Sequence, residues 1–287
     1  ATCYFHNVGL VMSGSSTHSY LPPGLFRGIC TEAAKAGYSL SVTELPETSS
    51  PPDEIPRLLQ EDACDGFLVN IQGDVPAWMC ALADKLHKPA VWINQKRATN
   101  CVYADDADGS RRVVEVLAGA GHRRIAYANP APMSPHYSQQ DRLQGYLNGM
   151  SEWQLQPRVH RIDKMPKAHS AGLRDMLQAR DRPTAVVCPA GESAEMVYLE
   201  AIKLGLDVPQ DLSIVGFSDW HITVGATRIA TMMLHKTEEG RRAVRLLLDK
   251  LEQTPRRVSA VPIPLLWRAN DTFGPAPGER RNPTCQP

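Results

Sequence analysis

No stretch of this chain approaches the roughly 18 consecutive apolar residues needed to span a bilayer, so no membrane partner is expected. Net charge is missing as well: 31 Lys and Arg are balanced by 31 Asp and Glu, which leaves no overall attraction for a phosphate backbone. The seven cysteines (Cys3, Cys30, Cys64, Cys80, Cys101, Cys188, Cys285) contain no Cys-x-x-Cys pair. Neither they nor the nine histidines fall at the short intervals of a zinc site, so neither a metal nor a disulfide framework is expected. An odd, scattered set of thiols fits a reducing, cytoplasmic compartment. Walker, G-x-S-x-G and H-E-x-x-H strings are absent, and the nearest glycine-containing turn, MSGSS at 12–16, lacks the G-x-G-x-x-G spacing. These absences argue against an enzyme and imply no cofactor. The opening ATCYFHNVGL lacks the charged-then-apolar pattern of an export signal and begins without Met, so a non-exported protein with further residues upstream is expected.

What is present is the composition of a soluble globular chain, 43% hydrophobic and 22% charged over 287 residues, long enough for two domains of ordinary size. Short apolar runs alternate with amphipathic stretches. A strand at Val8–Met12 is followed by a helix over 24–37 and a strand at Tyr38–Glu44. Helices at Glu54–Glu61 and Pro76–Leu86 then alternate with strands Gly66–Ile71 and Ala90–Asn94. These strands are apolar on consecutive residues, as parallel strands covered on both faces are. After the acidic turn DDADG at 105–109 a helix runs to about Ala120, and HRRIAYAN opens a second round. That round comprises helix Gln140–Met150, strand Val159–Ile162, helix Ser170–Ala179, strand 184–189, helix Ser193–Leu204 and strand 213–218. The expected fold is α/β, with two doubly wound parallel-sheet lobes. Towards the end, 231–252 reads as an amphipathic helix preceded by a strand, VSAVPIPLLWR at 258–268 as one final strand, and the tail from Gly274 as a loose end.

Seven strings carry a family likeness: CDGFLV at 64–69, VYADDADG at 102–109, GHRRIAY at 121–127, DRLQGY at 141–146, PTAVVC at 183–188, LGLDVPQDLSIVGFSD at 204–219 and EEGRRAVRLLLDKL at 238–251. Their order and spacing, from about Val8 to Arg268, resemble the effector-binding domain of the LacI/GalR transcription regulators. The resemblance implies a periplasmic-binding-protein-like type I fold: two lobes joined by three crossovers, with a ligand in the cleft between them. By analogy the first lobe is 1–124 plus 233–254 and the second 125–232 plus 255–287. It also implies a small-molecule effector, a sugar above all, and a homodimer that reaches operator DNA through an N-terminal helix-turn-helix not in this chain. A periplasmic sugar-binding protein of a transporter shares the fold. The free cysteines and the repressor-type strings GHRRIA and VPQDLSIVGFSD stand against it.

The resemblance places candidate ligand contacts in several loops. Ser13, His18 and Tyr20 lie in the polar segment after the first strand. Arg142 of DRLQGY matches an arginine that reaches ligand oxygens in relatives, work suited to a planar guanidinium fork; the alternative is a surface arginine at a helix start. His136 and Ser138 precede it in the loop SPHYSQQ. Asp105 and Asp106 are either ligand contacts or caps of the helix that follows. Two departures from the family pattern put its known ligands in doubt. Ala190 and Gly191 stand where a polar pair is common, followed by Glu192 and Ser193, and Ser218 replaces the first acid of an acidic pair before Asp219 and Trp220. Trp220 offers either a stacking face for a sugar ring or packing surface, and Met165 reads as wall.

Overall fold

A computed structural model describes residues 5–13, 20–45, 63–71, 78, 88–129, 136–161, 166–252 and 258–278, excepting the side chains of 129, 161 and 166–171. In chain order the elements are β1 (Asn7–Ser13), α1 (Pro23–Lys35), β2 (Ser39–Leu45), β3 (Gly66–Asn70), β4 (Ala90–Ile93), β5 (Cys101–Ala104), α2 (Asp106–Gly119) and β6 (Ile125–Asn129). There follow α3 (Tyr137–Glu152), β7 (Arg158–Arg161), α4 (Pro166–Gln178), β8 (Ala185–Val187), α5 (Gly191–Lys203) and β9 (Ser213–Ser218). The rest are β10 (Thr223–Val224), β11 (Thr227–Arg228), β12 (Ala230–Met233), α6 (Lys236–Glu252), β13 (Val261–Ile263) and β14 (Leu266–Arg268).

The chain forms two units, 1–105 with 135–137 and 235–264, and 106–134 with 138–234 and 265–287. The first holds a six-stranded sheet of order β13-β5-β4-β3-β1-β2 with every pairing parallel. Its core is Leu10, Ile29, Leu68, Val91, Val244 and Leu247, contributed by the sheet, α1 and α6. Pro23 opens α1 at a position where its missing N–H costs nothing. α1 and α6 pack closely because Gly28 faces the Thr237 carbonyl and Gly240 faces the Leu25 carbonyl; a Cβ at either glycine would overlap the opposing oxygen.

The second unit holds a sheet of order β14-β12-β9-β8-β6-β7, parallel except where β14 runs against β12, together with the β10–β11 hairpin. Val186, Val197, Leu212 and Ile214 centre its core. Three of the strings that carry the family likeness have structural work here. In GHRRIAY, Gly121 adopts φ +93°, which ends α2, and its amide and that of His122 bond back to Ala118 and Leu117. His122 is fully buried, with Nδ1 3.0 Å from Thr184 Oγ1 and Nε2 3.1 Å from the Gly274 carbonyl. In DRLQGY, Gly145 meets the Ala107 carbonyl of α2 at a distance no Cβ would allow. Tyr146, also of DRLQGY, donates its hydroxyl to the Ile125 carbonyl at 2.9 Å and accepts the Arg158 amide at 2.8 Å. PTAVVC contributes Thr184, the hydroxyl partner of His122.

Several expectations are corrected. The run 258–268 is two strands in two sheets, because Pro264, which has no amide proton to donate, interrupts it: β13 joins β5, and β14 joins β12. α2 lies with the second unit, packed on Gly145 and Gly149 of α3, while β13 lies with the first. The start of the tail is anchored rather than loose: Gly274 bonds Ser213 and His122, and the Ala276 amide bonds the Ala120 carbonyl. The helices expected at 54–61 and 76–86, together with His18 and Met165, lie outside the described residues, apart from a helical Trp78.

Candidate functional site

In open parallel sheets ligands sit at the carboxyl ends of the strands. In the second unit that edge is organised around Arg142, in the second turn of α3. The alternative of a surface arginine does not hold, since Arg142 is only 7% exposed. Its Nε donates to Asp106 Oδ1 at 2.7 Å, and a second guanidinium nitrogen donates to the carbonyl of Pro189, just past β8. The guanidinium lies 4.7 Å from the centre of the Phe217 ring on β9, within cation–π range. Asp106 is 1% exposed and sits at the first position of α2, where its carboxylate serves the arginine. Ser138, one helical turn before Arg142 on the same face, is buried in the first turn of α3 rather than in a loop.

Ser218, buried at the end of β9, accepts the Trp220 amide on its hydroxyl at 3.2 Å. Asp219 is half-buried, and Trp220 is 52% exposed, which rules out a place in this unit's core. Glu192 is exposed in the first turn of α5, whose start is held by reciprocal bonds between Ser193 and Ala190.

The strand-end edge of the first unit carries a buried polar network that sequence reasoning missed. Lys236, 7% exposed, donates to Asn94 Oδ1 and to Glu239 Oε2, the latter at 2.8 Å. Asn94 Nδ2 donates to Asn70 Oδ1 at 3.0 Å, and Asn70 Nδ2 donates to the Tyr20 carbonyl at 3.0 Å. His136 Nε2 lies 3.0 Å from the Asn94 carbonyl. Ser13 is buried at the end of β1, Asp105 is half-buried with its amide on Ile263, and the Tyr20 side chain is 40% exposed. One signal was available: GFLVN and AVWIN both close an apolar run with asparagine. The lysine, 142 residues from Asn94, left no local trace.

Of the expected residues, the structure thus joins Arg142 with Asp106 directly and His136 and Tyr20 to the asparagine network. A cavity of roughly 360 Å³ also opens in the second unit, lined by β7 residues 158–160 and by Asp175 and Met176 of α4; it includes none of the expected residues. Among the described residues, no cluster of three His, Cys, Asp or Glu side chains is placed to hold a metal, and no helix is long and apolar enough to cross a membrane.

The profile of the periplasmic binding protein-like domain family matches residues 114–269. The chain is 28% identical over 263 residues to the arabinose metabolism transcriptional repressor of Geobacillus stearothermophilus, an alignment covering 86% of this chain and 70% of the repressor. It is 29% identical over 247 residues to the HTH-type transcriptional repressor CytR of Escherichia coli (strain K12), covering 79% of this chain and 68% of that one. A regulatory protein of the LacI family from Chloroflexus aggregans superposes with a TM-score of 0.74 at 23% identity, over 94% of this chain and 99% of that one. Two parallel-sheet units, the strings that resemble LacI/GalR regulators and these relatives agree: the chain belongs to the periplasmic binding protein-like family, among the LacI/GalR-type transcription regulators.

Proposed function

We propose that this chain senses a small polyhydroxylated effector, a sugar, at its strand-end edges and so controls the operator affinity of a DNA-reading module belonging to the full protein. The observation that carries the reading is Arg142, a buried guanidinium fixed at the carboxyl ends of β8 and β9 by Asp106, Pro189 and the Phe217 ring. A fork held in that way offers its remaining N–H groups in a set geometry, which suits sugar hydroxyls. The printed name of one relative, a repressor of arabinose metabolism, supports a sugar, and the matched relatives are regulators rather than catalysts.

In this reading the effector binds one conformation of the chain better than another and shifts the population by its differential affinity. Two copies pair, so that two DNA readers meet a two-fold operator. Ser138, Ser218 and Trp220, of the same unit, complete the contact set around Arg142. Calorimetric titration of sugars against wild type and Arg142→Ala tests the proposal. Loss of binding in the variant, with the fold retained, is expected; equal affinity removes Arg142 from the site. A thermal-shift screen over pentoses, hexoses and nucleosides identifies the ligand, because a binder of the folded state raises the apparent stability.

A further inference from the structure

The cavity of the second unit lies away from the Arg142 cluster. Arg142 is held at the carboxyl ends of β8 and β9, whereas the cavity is walled by Arg158, which opens β7, and by 181–183, just ahead of β8. β7 is the edge strand of its sheet, and α4 supplies the facing wall. Gly172, Asp175, Met176 and Ala179 follow one another at the three- and four-residue spacing of a single helix face. Across from them Arg158 and His160 share one face of β7, with Ala126 and Ala128 of β6 beside them in register. Glycine and alanine on both walls leave open a space of roughly 360 Å³. A cavity of about 150 Å³ is enough for benzene, so this one admits two fused rings.

The polar groups here are few and differ in state. Arg158 donates to the Asp181 carbonyl at 2.7 Å and meets its carboxylate at 2.9 Å, and Arg182 is held by the Asp211 carbonyl at 3.1 Å and its carboxylate at 3.4 Å. Both guanidinium charges are thus matched, and Asp175 adds a further carboxylate, so an anion finds little attraction. His160 is different: its Nε2 is buried with no hydrogen-bond partner among the described residues, an arrangement that is costly until a partner arrives. Burial holds its pKa below the ordinary value, with Asp175 opposing, which leaves the ring neutral near pH 7. The half-buried Met176 places a thioether on the same cavity, and thioethers make favourable contacts with aromatic rings.

We propose that this cavity is a second small-molecule site, separate from the Arg142 cluster, and that it takes an uncharged, hydroxylated aromatic compound of one or two rings. The ring occupies the space between the small residues of the two walls and packs on Met176. The hydroxyl bonds the His160 imidazole, which turns Nε2 towards it about a soft torsion. Because a hydroxyl both donates and accepts, it serves either tautomer of the histidine.

The test is calorimetric titration of the intact chain with 2-naphthol, with naphthalene-2-carboxylate as the anionic counterpart. Saturable binding of one 2-naphthol per chain is expected, with the carboxylate weaker by about tenfold or more. His160→Leu should weaken 2-naphthol by about tenfold, and His160→Gln, whose amide also donates and accepts, should restore part of the loss. Ala179 is exposed, so Ala179→Phe should fold and, by filling the space, abolish binding. In protein labelled at its methionine methyl groups, 2-naphthol should shift the Met176 resonance, a readout that needs no variant. Absence of saturable binding, undiminished binding in Ala179→Phe, or an unmoved Met176 signal overturns the site while leaving the reading of Arg142 untouched. A carboxylate that binds as tightly as 2-naphthol overturns the assigned ligand class.

Discussion

Asp106 and Arg142 stand 36 residues apart in sequence, yet their side chains meet at 2.7 Å with almost no exposure to solvent. A pair of this kind contributes little net stability against an apolar substitute, but losing one member leaves a bare buried charge. Asp106→Ala is therefore expected to cost about 3 to 5 kcal/mol in chemical denaturation. The double variant Asp106→Ala/Arg142→Met should recover part of that loss. A single-variant cost below about 1 kcal/mol would mean that water reaches the pair as it does at a surface.

Helix packing in the second unit makes a contrast between two glycines of neighbouring helices. Gly145 has no room for a methyl group against the Ala107 carbonyl, whereas Gly119 has nothing within 4 Å. Gly145→Ala should destabilise by about 1 to 3 kcal/mol through overpacking. Gly119→Ala should be neutral or stabilising by a few tenths of a kcal/mol up to about 1, because alanine is the better helix former. Thermal melts of the two variants side by side provide the check.

Tyr146 ties α3 to β6 and to the edge strand β7 through one hydroxyl. Burial pushes its pKa up to about 12, so the group remains a donor across the ordinary pH range. Tyr146→Phe removes the acceptor of the Arg158 amide and the donor to Ile125, at an expected cost of about 1 to 3 kcal/mol. Hydrogen exchange should locate the loss at β7, with faster exchange of the Arg158 amide.

His122 predicts a pH dependence. Burial holds its pKa below the ordinary value, although the Gly274 carbonyl opposes the shift. The unfolded chain therefore takes up a proton more readily than the folded one. The contribution of His122 to stability is full above the unfolded value of about 6.5 and is lost as pH falls below it. His122→Asn should lower the melting temperature at pH 7.5 and flatten its decline between pH 7 and 5. A decline as steep as in wild type would assign the acid sensitivity to other groups, among them His160, whose pKa burial also lowers.

The inner strands of the sheets were legible in the sequence because they are buried on both faces and read as largely apolar runs, as GFLV and IVGF do. Arg142 drew attention only because it lies inside a family string, and its burial among Asp106, Pro189 and Phe217 could not be read from spacing. The Lys236–Asn94–Asn70 network escaped notice because its members come from three distant segments, each locally unremarkable. The split at Pro264 was missed because the hydrophobic pattern runs straight through it and carries no mark of which sheet each half will join. The small β10–β11 hairpin, two residues per strand, is too short to generate any periodicity.

The division of 258–268 between two sheets has a consequence for dissecting the molecule genetically. Ending the chain before Val258 would strip an edge strand from each sheet at once, β13 from one and β14 from the other. A fragment stopping at Asp105 would lack α6 along with β13, and with α6 the Val244 and Leu247 side chains that fill the core behind Leu68. No single cut therefore yields a self-sufficient half, and expression trials with one-sided truncations should give aggregates where internal excisions at 105/106, 234/235 and 264/265 give folded units.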